Sequence, residues 1–361
     1  MRPWMAQTWA NQWKLIYNQM IMNEKNVMVI GAGPAGLACA TALAKMGVKT
    51  SIIEKDALLG GHLRQWHALF PNHNPAFEVL AQLTNSLPAE VVVYSNSGVE
   101  HIERTDLGFK LFLSNKDSHQ ADALVIATGF DSFDAHKKEE YGYGIYRNVA
   151  TSVDLEQNFD SGNWFLDNDG NEPSAFAFVH CVGSRDEKVG NNYCSKVCCV
   201  TAVKQAIGLR KKFPHAAIYC LYMDLRMFGR HYEELYREAQ ELHQIRFIRG
   251  RLSEAFETPN GTVLLKVEDT LAGARLKFSV DKLFLMVGMV PSTSTINFGK
   301  SLKIDNGVDK FLNTVALNPG SSKTNETGVF ITGTCTGPAT LPEVINAGKA
   351  CALDVYEFIT C

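Results

Sequence analysis

The sequence predicts an α/β fold of two Rossmann-like domains, each a doubly wound sheet with helices in three layers. Two stretches predict it. "NVMVIGAGPAGLACATALAKMGVKTSIIEK", residues 26–55, reads strand, glycine turn, helix, strand. A second alternation follows in the middle of the chain. There "SAFAFVHCVGS" is a strand, "SKVCCVTAVKQAIGLRKKF" a helix and "HAAIYCLYMD" a strand. "HYEELYREAQELH" is then helical, "IRFIRG" a strand, and "TVLLKVEDT" with "ARLKFSV" a hairpin. A chain of 361 residues is long enough for two domains, each with its own core.

The first domain begins where Val27–Ile30 supplies the continuous apolar run of a buried parallel strand. The turn after it is Gly31, Ala32, Gly33, Pro34, Ala35, Gly36, a G-x-G-x-x-G. Gly31 permits the tight turn, Gly33 lets a pyrophosphate approach the backbone, and Gly36 lets helix pack on strand. The pyrophosphate would rest on the helix N-terminus, where unpaired amides and the helix dipole favour an anion. Glu54, with Lys55 beside it, ends the second strand at the distance expected for a ribose hydroxyl pair. Alone the glycine spacing is weak. With the strand, the helix and the acid in place, it predicts dinucleotide binding.

Composition bounds the rest. Hydrophobic residues make up 46% and charged residues 20%, and the formal charge is −3 with no basic block. No nucleic-acid footprint is present. No apolar run approaches the roughly 18 residues of a membrane span. Nine cysteines are too sparse for a disulfide scaffold. Their clustering points to metal or redox use in a reducing, cytoplasmic compartment. Residues 1–25 stand apart as an N-terminal extension holding three of the five tryptophans. Trp9, Trp13, Ile16 and Met20 share helical spacing. The segment reads either as an appended or mis-started piece, with Met20 or Met22 as the true start, or as an amphipathic helix covering a partner or dimer surface.

Three stretches resemble two-domain flavoproteins of the thioredoxin-reductase type and so favour FAD. They are "LLGGHL", with Gly60, Gly61 and His62; "ALVIATGFD", with Ala127, Thr128 and Gly129; and "GVFITGTCTGPATLPEVINAGKACA", with Gly333 and Thr334. The resemblance implies a discontinuous FAD domain, residues 26–150 and 290–361. Residues 151–289 are the inserted module that normally takes NAD(P)H. It implies non-covalent FAD, with the terminal helix aimed at the pyrimidine edge. His62 reads as structural.

The inserted module lacks its own glycine fingerprint. Where one should join strand to helix stands "CVGSRDEKVGNNYCSKVCC", a C-x12-C-x3-C-C pattern of Cys181, Cys194, Cys198 and Cys199. If the helix begins at Tyr193, Cys194 and Cys198 lie one turn apart and face the same way. Zinc sites usually pair ligands as C-x2–4-C, and adjacent ligands on one zinc are awkward. A cubane cluster offers separate irons to adjacent thiolates. A Cys194–Cys198 disulfide and four buried small hydrophobes are the other readings. Cys39, Cys220, Cys335, Cys351 and Cys361 read as ordinary buried or surface cysteines, with Cys335 worth watching in the flavin loop.

The chain resembles the A subunits of heterodisulfide reductases and their shorter relatives. The resemblance lies in "GFDSFDAHKKEEYGYGIYRNVATS", the cysteine stretch, "DLRMFGRHYEELYREAQE", "RFIRGR", "VGMVPS" and "GTCTGPATLPE". It implies one FAD and a 4Fe–4S cluster held by Cys181, Cys194, Cys198 and Cys199 in place of the nicotinamide nucleotide. It also implies that Lys204 approaches the flavin N5, where a cation would favour reduced flavin and could relay a proton. Full-length members carry C-x2-C-x2-C runs, and none occurs here. The likeness is therefore to the compact form of sulfur-oxidising heterodisulfide reductase-like complexes. That form implies B- and C-like subunits as partners and a homodimer within a larger assembly, with disulfide or sulfur chemistry in the partners. Two alternatives are a pyridine nucleotide-disulfide oxidoreductase using a Cys194/Cys198 dithiol, and the corresponding component of a quinone-interacting oxidoreductase.

Overall fold

The computed structural model describes residues 25–167, 170–315 and 320–361. The tryptophan-bearing extension falls outside the described residues, apart from Lys25. The chain forms two compact units. One comprises the chain up to Arg64, Val79–Asp131 and Pro291–Cys361; the other comprises Gln65–Glu78 and Ser132–Val290.

The first unit is built on a five-stranded parallel sheet. Its order is Val329–Ile331, Ala123–Ile126, Asn26–Ile30, Lys49–Ile53, Val92–Tyr94. Strands such as "ALVI" are apolar on both faces because both faces are covered. Helices Pro34–Lys45 and Leu341–Thr360 cover one face. They cross so closely that a Cβ on Gly348 would lie 2.3 Å from the Ala35 carbonyl oxygen. An antiparallel meander, Val99–Thr105, Gly108–Leu113 and Ser118–Ala121, covers the other. In "GFKLFL" every second residue, Phe109, Leu111 and Leu113, is buried, and these pack with Met28 and Ile30 of the sheet. The returning C-terminal strand makes this unit discontinuous in sequence.

The second unit repeats the architecture. Its parallel sheet runs Val149–Thr151, Lys282–Val287, Ala175–Val182, Ala217–Tyr222, Arg246–Arg249. Helices Cys198–Lys212 and Tyr232–Glu241 make the crossovers. Phe165, Phe176, Phe178, Phe213 and Phe284 fill one side of this sheet. A three-stranded antiparallel sheet, Leu252–Glu257, Val263–Asp269 and Ala274–Val280, covers the other and contains the anticipated hairpin. The sequence boundary at 150/151 and the compact units part company at residues 132–150. Val149 pairs with Leu283, which draws that stretch into the second unit. Residues 65–78 join it too, since Glu156 accepts the His67 amide at 3.0 Å.

Lys282 is an unusual opening residue for a buried strand, at 6% exposure. Its Nζ lies 4.9 Å from the Trp164 ring centroid and 3.2 Å from Asn148 Oδ1. Burial, then the nearby Arg147 charge, lowers its pKa from 10.5 to about 8. The folded state thus holds this proton less tightly than the unfolded chain. Below about pH 8 the lysine costs stability, and the cost disappears as pH rises from 8 through 10.5. Lys282→Met should stabilise the protein at pH 7 by about 1–2 kcal/mol, discounted for solvent screening. Urea unfolding of both proteins should show that advantage shrinking between pH 8 and pH 10; an advantage constant with pH would contradict the assignment.

Candidate functional site

In the first unit, four glycine-bearing turns gather at the carboxyl ends of the parallel strands. This is the switch point where open α/β sheets bind ligands. Gly31 has φ +105°, and a Cβ there would stand 2.5 Å from the Ala127 carbonyl oxygen. A Cβ on Gly36 would stand 1.9 Å from the Gly31 carbonyl oxygen. Gly33 differs: among the described residues its Cβ would meet nothing within 4 Å, and its φ is an ordinary −70°. Pro34 opens the helix, no described side chain caps it, and its first turn has no acidic residue. Its leading amides are therefore available to an anion. An open approach over Gly33 with close packing at Gly31 and Gly36 is a cradle for a pyrophosphate, and the residues fit a dinucleotide.

The neighbouring turns close on this one. Gly60 N–H donates to the Ala32 carbonyl at 2.8 Å, and a Cβ on Gly61 would lie 3.4 Å from the Gly33 Cα. Glu54 is buried; its Oε2 accepts the Ala32 amide at 2.7 Å and its Oε1 the Asp56 amide at 2.9 Å. This carboxylate braces the glycine turn. Lys55 is exposed. His62 stacks on Phe130 at 4.2 Å, with Nε2 2.8 Å from the Phe130 carbonyl oxygen. Ala127 is buried, Thr128 Oγ1 lies 2.7 Å from Thr295 Oγ1, and Gly129 has φ +71°. Gly333 has φ +77°, where a Cβ would come within 2.6 Å of the Ala35 side chain, and Thr334 beside it is buried.

The cysteine stretch lies in the second unit. Cys181 is the penultimate residue of the central strand and has φ +60°, a left-handed backbone unusual for a non-glycine residue. The ladder to Lys282–Val287 slips between Val179 and Val182 at the same point. The helix expected from Ser195 begins instead at Cys198, so the condition of a start at Tyr193, which would align Cys194 with Cys198, is not met. Lys196 has φ +63°, and Val197 N–H turns back onto the Ser195 carbonyl. Cys194 therefore precedes the helix and does not stand one turn behind Cys198. Its Sγ instead accepts the Lys196 amide at 3.3 Å.

The intervening loop is zipped internally. Arg185 N–H donates to the Tyr193 carbonyl at 2.9 Å, and Asp186 and Asn191 exchange backbone hydrogen bonds. Asn191 Nδ2 donates to the Gly183 carbonyl at 3.0 Å. Ser184 and Ser195, both fully buried, join hydroxyl to hydroxyl, and Ser195 Oγ accepts the Met289 amide at 2.9 Å. The buried Lys138 ammonium holds Asp186 Oδ2 at 2.7 Å and Glu140 at 2.8 Å.

Cys198 hydrogen-bonds with both Cys181 and Cys199, and its own pKa is driven well above the ordinary thiol value. The same contact lowers Cys181 to about 7, against burial. Cys199 is lowered to about 4, first by Cys198 and then, against burial, by His180. All these cysteines are free thiols. Among the described residues, no three His, Cys, Asp or Glu side chains form the shell of a single metal ion. Two donors stand beside the thiols. His180 has no nitrogen or oxygen partner for its ring and reaches the Cys199 thiol, and Arg185 Nη1 is unpaired among the described residues, although Nη2 holds Asp224 at 2.7 Å. The charge of Arg185 is felt by both Cys181 and Cys194. Buried donors around sulfur suit an anionic, acceptor-rich group.

Lys204 lies on the same helix as Cys198 and Cys199, buried against Glu156 and donating to the Ala68 carbonyl at 2.9 Å. Burial lowers its pKa and Glu156 opposes that. Glu156 also accepts from Gln205 Nε2 at 2.7 Å and from the His67 amide. Replacing Glu156 by Ala would leave a buried ammonium uncompensated, at a cost of about 3–5 kcal/mol. Thermal unfolding of Glu156→Ala beside Glu156→Gln measures it, and equal stability in all three proteins would contradict the ion pair. Sequence reasoning missed Glu156, His180, Arg185 and the Ser184–Ser195 clasp. None lies at a motif spacing, although the serines flank cysteine-stretch glycines and thiols closely enough to have been noticed.

The family described as "Pyridine nucleotide-disulphide oxidoreductase" matches residues 25–350. The chain is 30% identical to the A subunit of the H(2)/formate:CoB-CoM heterodisulfide,ferredoxin reductase of Methanococcus maripaludis, over 91% of this chain and 63% of that one. It is 39% identical to the second iron-sulfur A subunit of CoB–CoM heterodisulfide reductase from Methanopyrus kandleri, over 64% of this chain and 36% of that one. The chain thus spans less than two thirds of the length of these relatives. Among solved structures, thioredoxin reductase of Lactococcus lactis superposes with a TM-score of 0.66 at 18% identity, covering 93% of this chain and 99% of that one. Thioredoxin reductase of T. acidophilum gives 0.64 at 16% identity, covering 92% and 98%. These structural likenesses speak for the fold alone.

Proposed function

The chain belongs to the pyridine nucleotide-disulphide oxidoreductase family and, within it, to the A subunits of heterodisulfide reductases, and from that premise we propose that it is the electron-transfer component of a heterodisulfide reductase-like complex. It is a flavin-dependent oxidoreductase. FAD would be held by Gly31–Gly36, Glu54, Gly60–Gly61, Ala127–Gly129 and Gly333–Thr334. A 4Fe–4S cluster would be held by Cys181, Cys194, Cys198 and Cys199. FAD supplies paired-electron chemistry and the cluster single-electron chemistry, so the chain would convert between a two-electron sulfur couple and a one-electron path. Lys204 would be the cation serving the flavin, its charge kept in a buried pair with Glu156.

One observation carries the reading. The strand-to-helix turn that should cradle a nicotinamide nucleotide is a zipped cysteine loop with donors beside its thiols and none of the glycine fingerprint. The chain's own residues prepare that site: Ser184 and Ser195 clasp the loop, Lys138 anchors Asp186, and His180 and Arg185 present N–H groups to sulfur. Heterodisulfide reductase B- and C-like partners, a homodimer within the complex, and the cytoplasm as its location belong to the same proposal. Among the described residues, no helix is long and apolar enough to cross a membrane.

Anaerobic purification tests it. About four irons and four sulfides per chain, alongside one FAD, are expected. Dithionite titration should consume one electron more than the flavin alone requires. Stoichiometric zinc, or rapid flavin reduction by NADH with a Cys194–Cys198 dithiol cycling, would overturn it.

A further inference from the structure

We propose that His180 is a positioning residue of the sulfur site, donating an imidazole N–H to cluster-bound sulfur at Cys199 and thereby raising the cluster's reduction potential. The inference rests on the cluster reading above.

His180 is the residue before Cys181, at the point where the sheet register slips. It is only 6% exposed, and its ring nitrogens meet no nitrogen or oxygen partner among the described residues; the side chain it reaches is the Cys199 thiol. Its ring packs against Tyr222, with centroids 6.5 Å apart and planes at 56°, which fixes the ring and satisfies no nitrogen. A buried imidazole N–H needs an acceptor, and beside His180 that acceptor is sulfur.

The groups around it narrow the choice. Its electrostatic influence falls on Cys181 and Cys199. Arg185 is itself a donor there, and the nearby Asp224 carboxylate is engaged by Arg185 at 2.7 Å and Arg249 at 3.6 Å. Sulfur is the acceptor left. Adding an electron to a cluster makes its sulfurs more negative. A donor aimed at them therefore stabilises the reduced state more than the oxidised one. Removing the donor should lower the potential without removing any ligand.

The test uses the full chain, reconstituted anaerobically, as wild type, His180→Phe and His180→Gln. Iron and sulfide content is measured first, then the midpoint potential by redox titration followed by paramagnetic resonance. All three should carry the same iron and sulfide, with His180→Phe lower in potential and His180→Gln, which keeps an N–H donor, restored toward wild type. A cluster lost from His180→Phe but kept by His180→Gln also supports a donor that holds the site together. An unchanged potential in His180→Phe would overturn the inference and leave the cluster reading standing. Loss of the cluster from both variants, with FAD retained, would make His180 a ligand and likewise overturn it. Absence of iron and sulfide from the wild type would instead sink the cluster reading, and the inference with it.

Discussion

Gly33→Val is expected to empty the FAD site while leaving the folded apoprotein nearly as stable as its parent. The backbone at Gly33 sits at φ −70°, which valine adopts without strain, and its side chain would enter space free of described atoms. That space is where a pyrophosphate must approach the helix N-terminus. Gly36→Val is the contrasting case. Its Cβ would have to lie where the Gly31 carbonyl oxygen stands, 1.9 Å away, and backbone has no cheap way to yield. A cost above about 4 kcal/mol follows, enough to prevent folding of a marginally stable domain. Flavin absorbance after purification in excess FAD, with thermal unfolding of the stripped proteins, separates the two. The parent should also gain about 2.7 kcal/mol from FAD at a hundred times its dissociation constant, a gain that Gly33→Val should not show. A Gly33→Val protein with full flavin occupancy would mean the pyrophosphate lies elsewhere.

Cys198→Ala and Cys199→Ala should each abolish iron and sulfide binding and leave FAD occupancy at parental level. Both thiols open the helix Cys198–Lys212, and Cys198 touches the other two buried cysteines of the site. The sequence suggests that the loop from Val182 to Tyr193 must fold around the cluster to bring Cys181 close. In the structure the loop's own hydrogen bonds, from Arg185–Tyr193 to the Ser184–Ser195 clasp, also hold it closed. These variants should therefore unfold as cooperatively as the parent stripped of its cluster. Metal analysis and circular dichroism on the same samples decide this. A variant that loses FAD together with iron would show that the two sites are not separately built.

How much of this was legible depended on where the physics is local. The glycine turn of the first unit could be placed by residue number, because each glycine answers a steric demand at a fixed distance from strand and helix. The module lacking that fingerprint was equally visible, since bulky residues stand where the glycines should. The helix starts three residues later than the sequence suggests, because nothing in Ser195–Val197 marks a stop signal such as Gly or Pro. The left-handed Lys196 and the tight Val197–Ser195 turn that break it are tertiary choices. Glu156 lies 48 positions from Lys204, so only folding reveals the pair. His180 was hidden inside "AFAFVHCV", where an apolar strand disguises a polar side chain whose nearest acceptor is a thiol.

The clasp between Ser184 and Ser195 also sets what the cysteine stretch is fastened to. Because Ser195 accepts the Met289 amide as well, the loop is tied to the chain just past the strand Lys282–Val287 and not to itself alone. A change in that neighbouring strand would therefore be felt at the thiols without touching any of them.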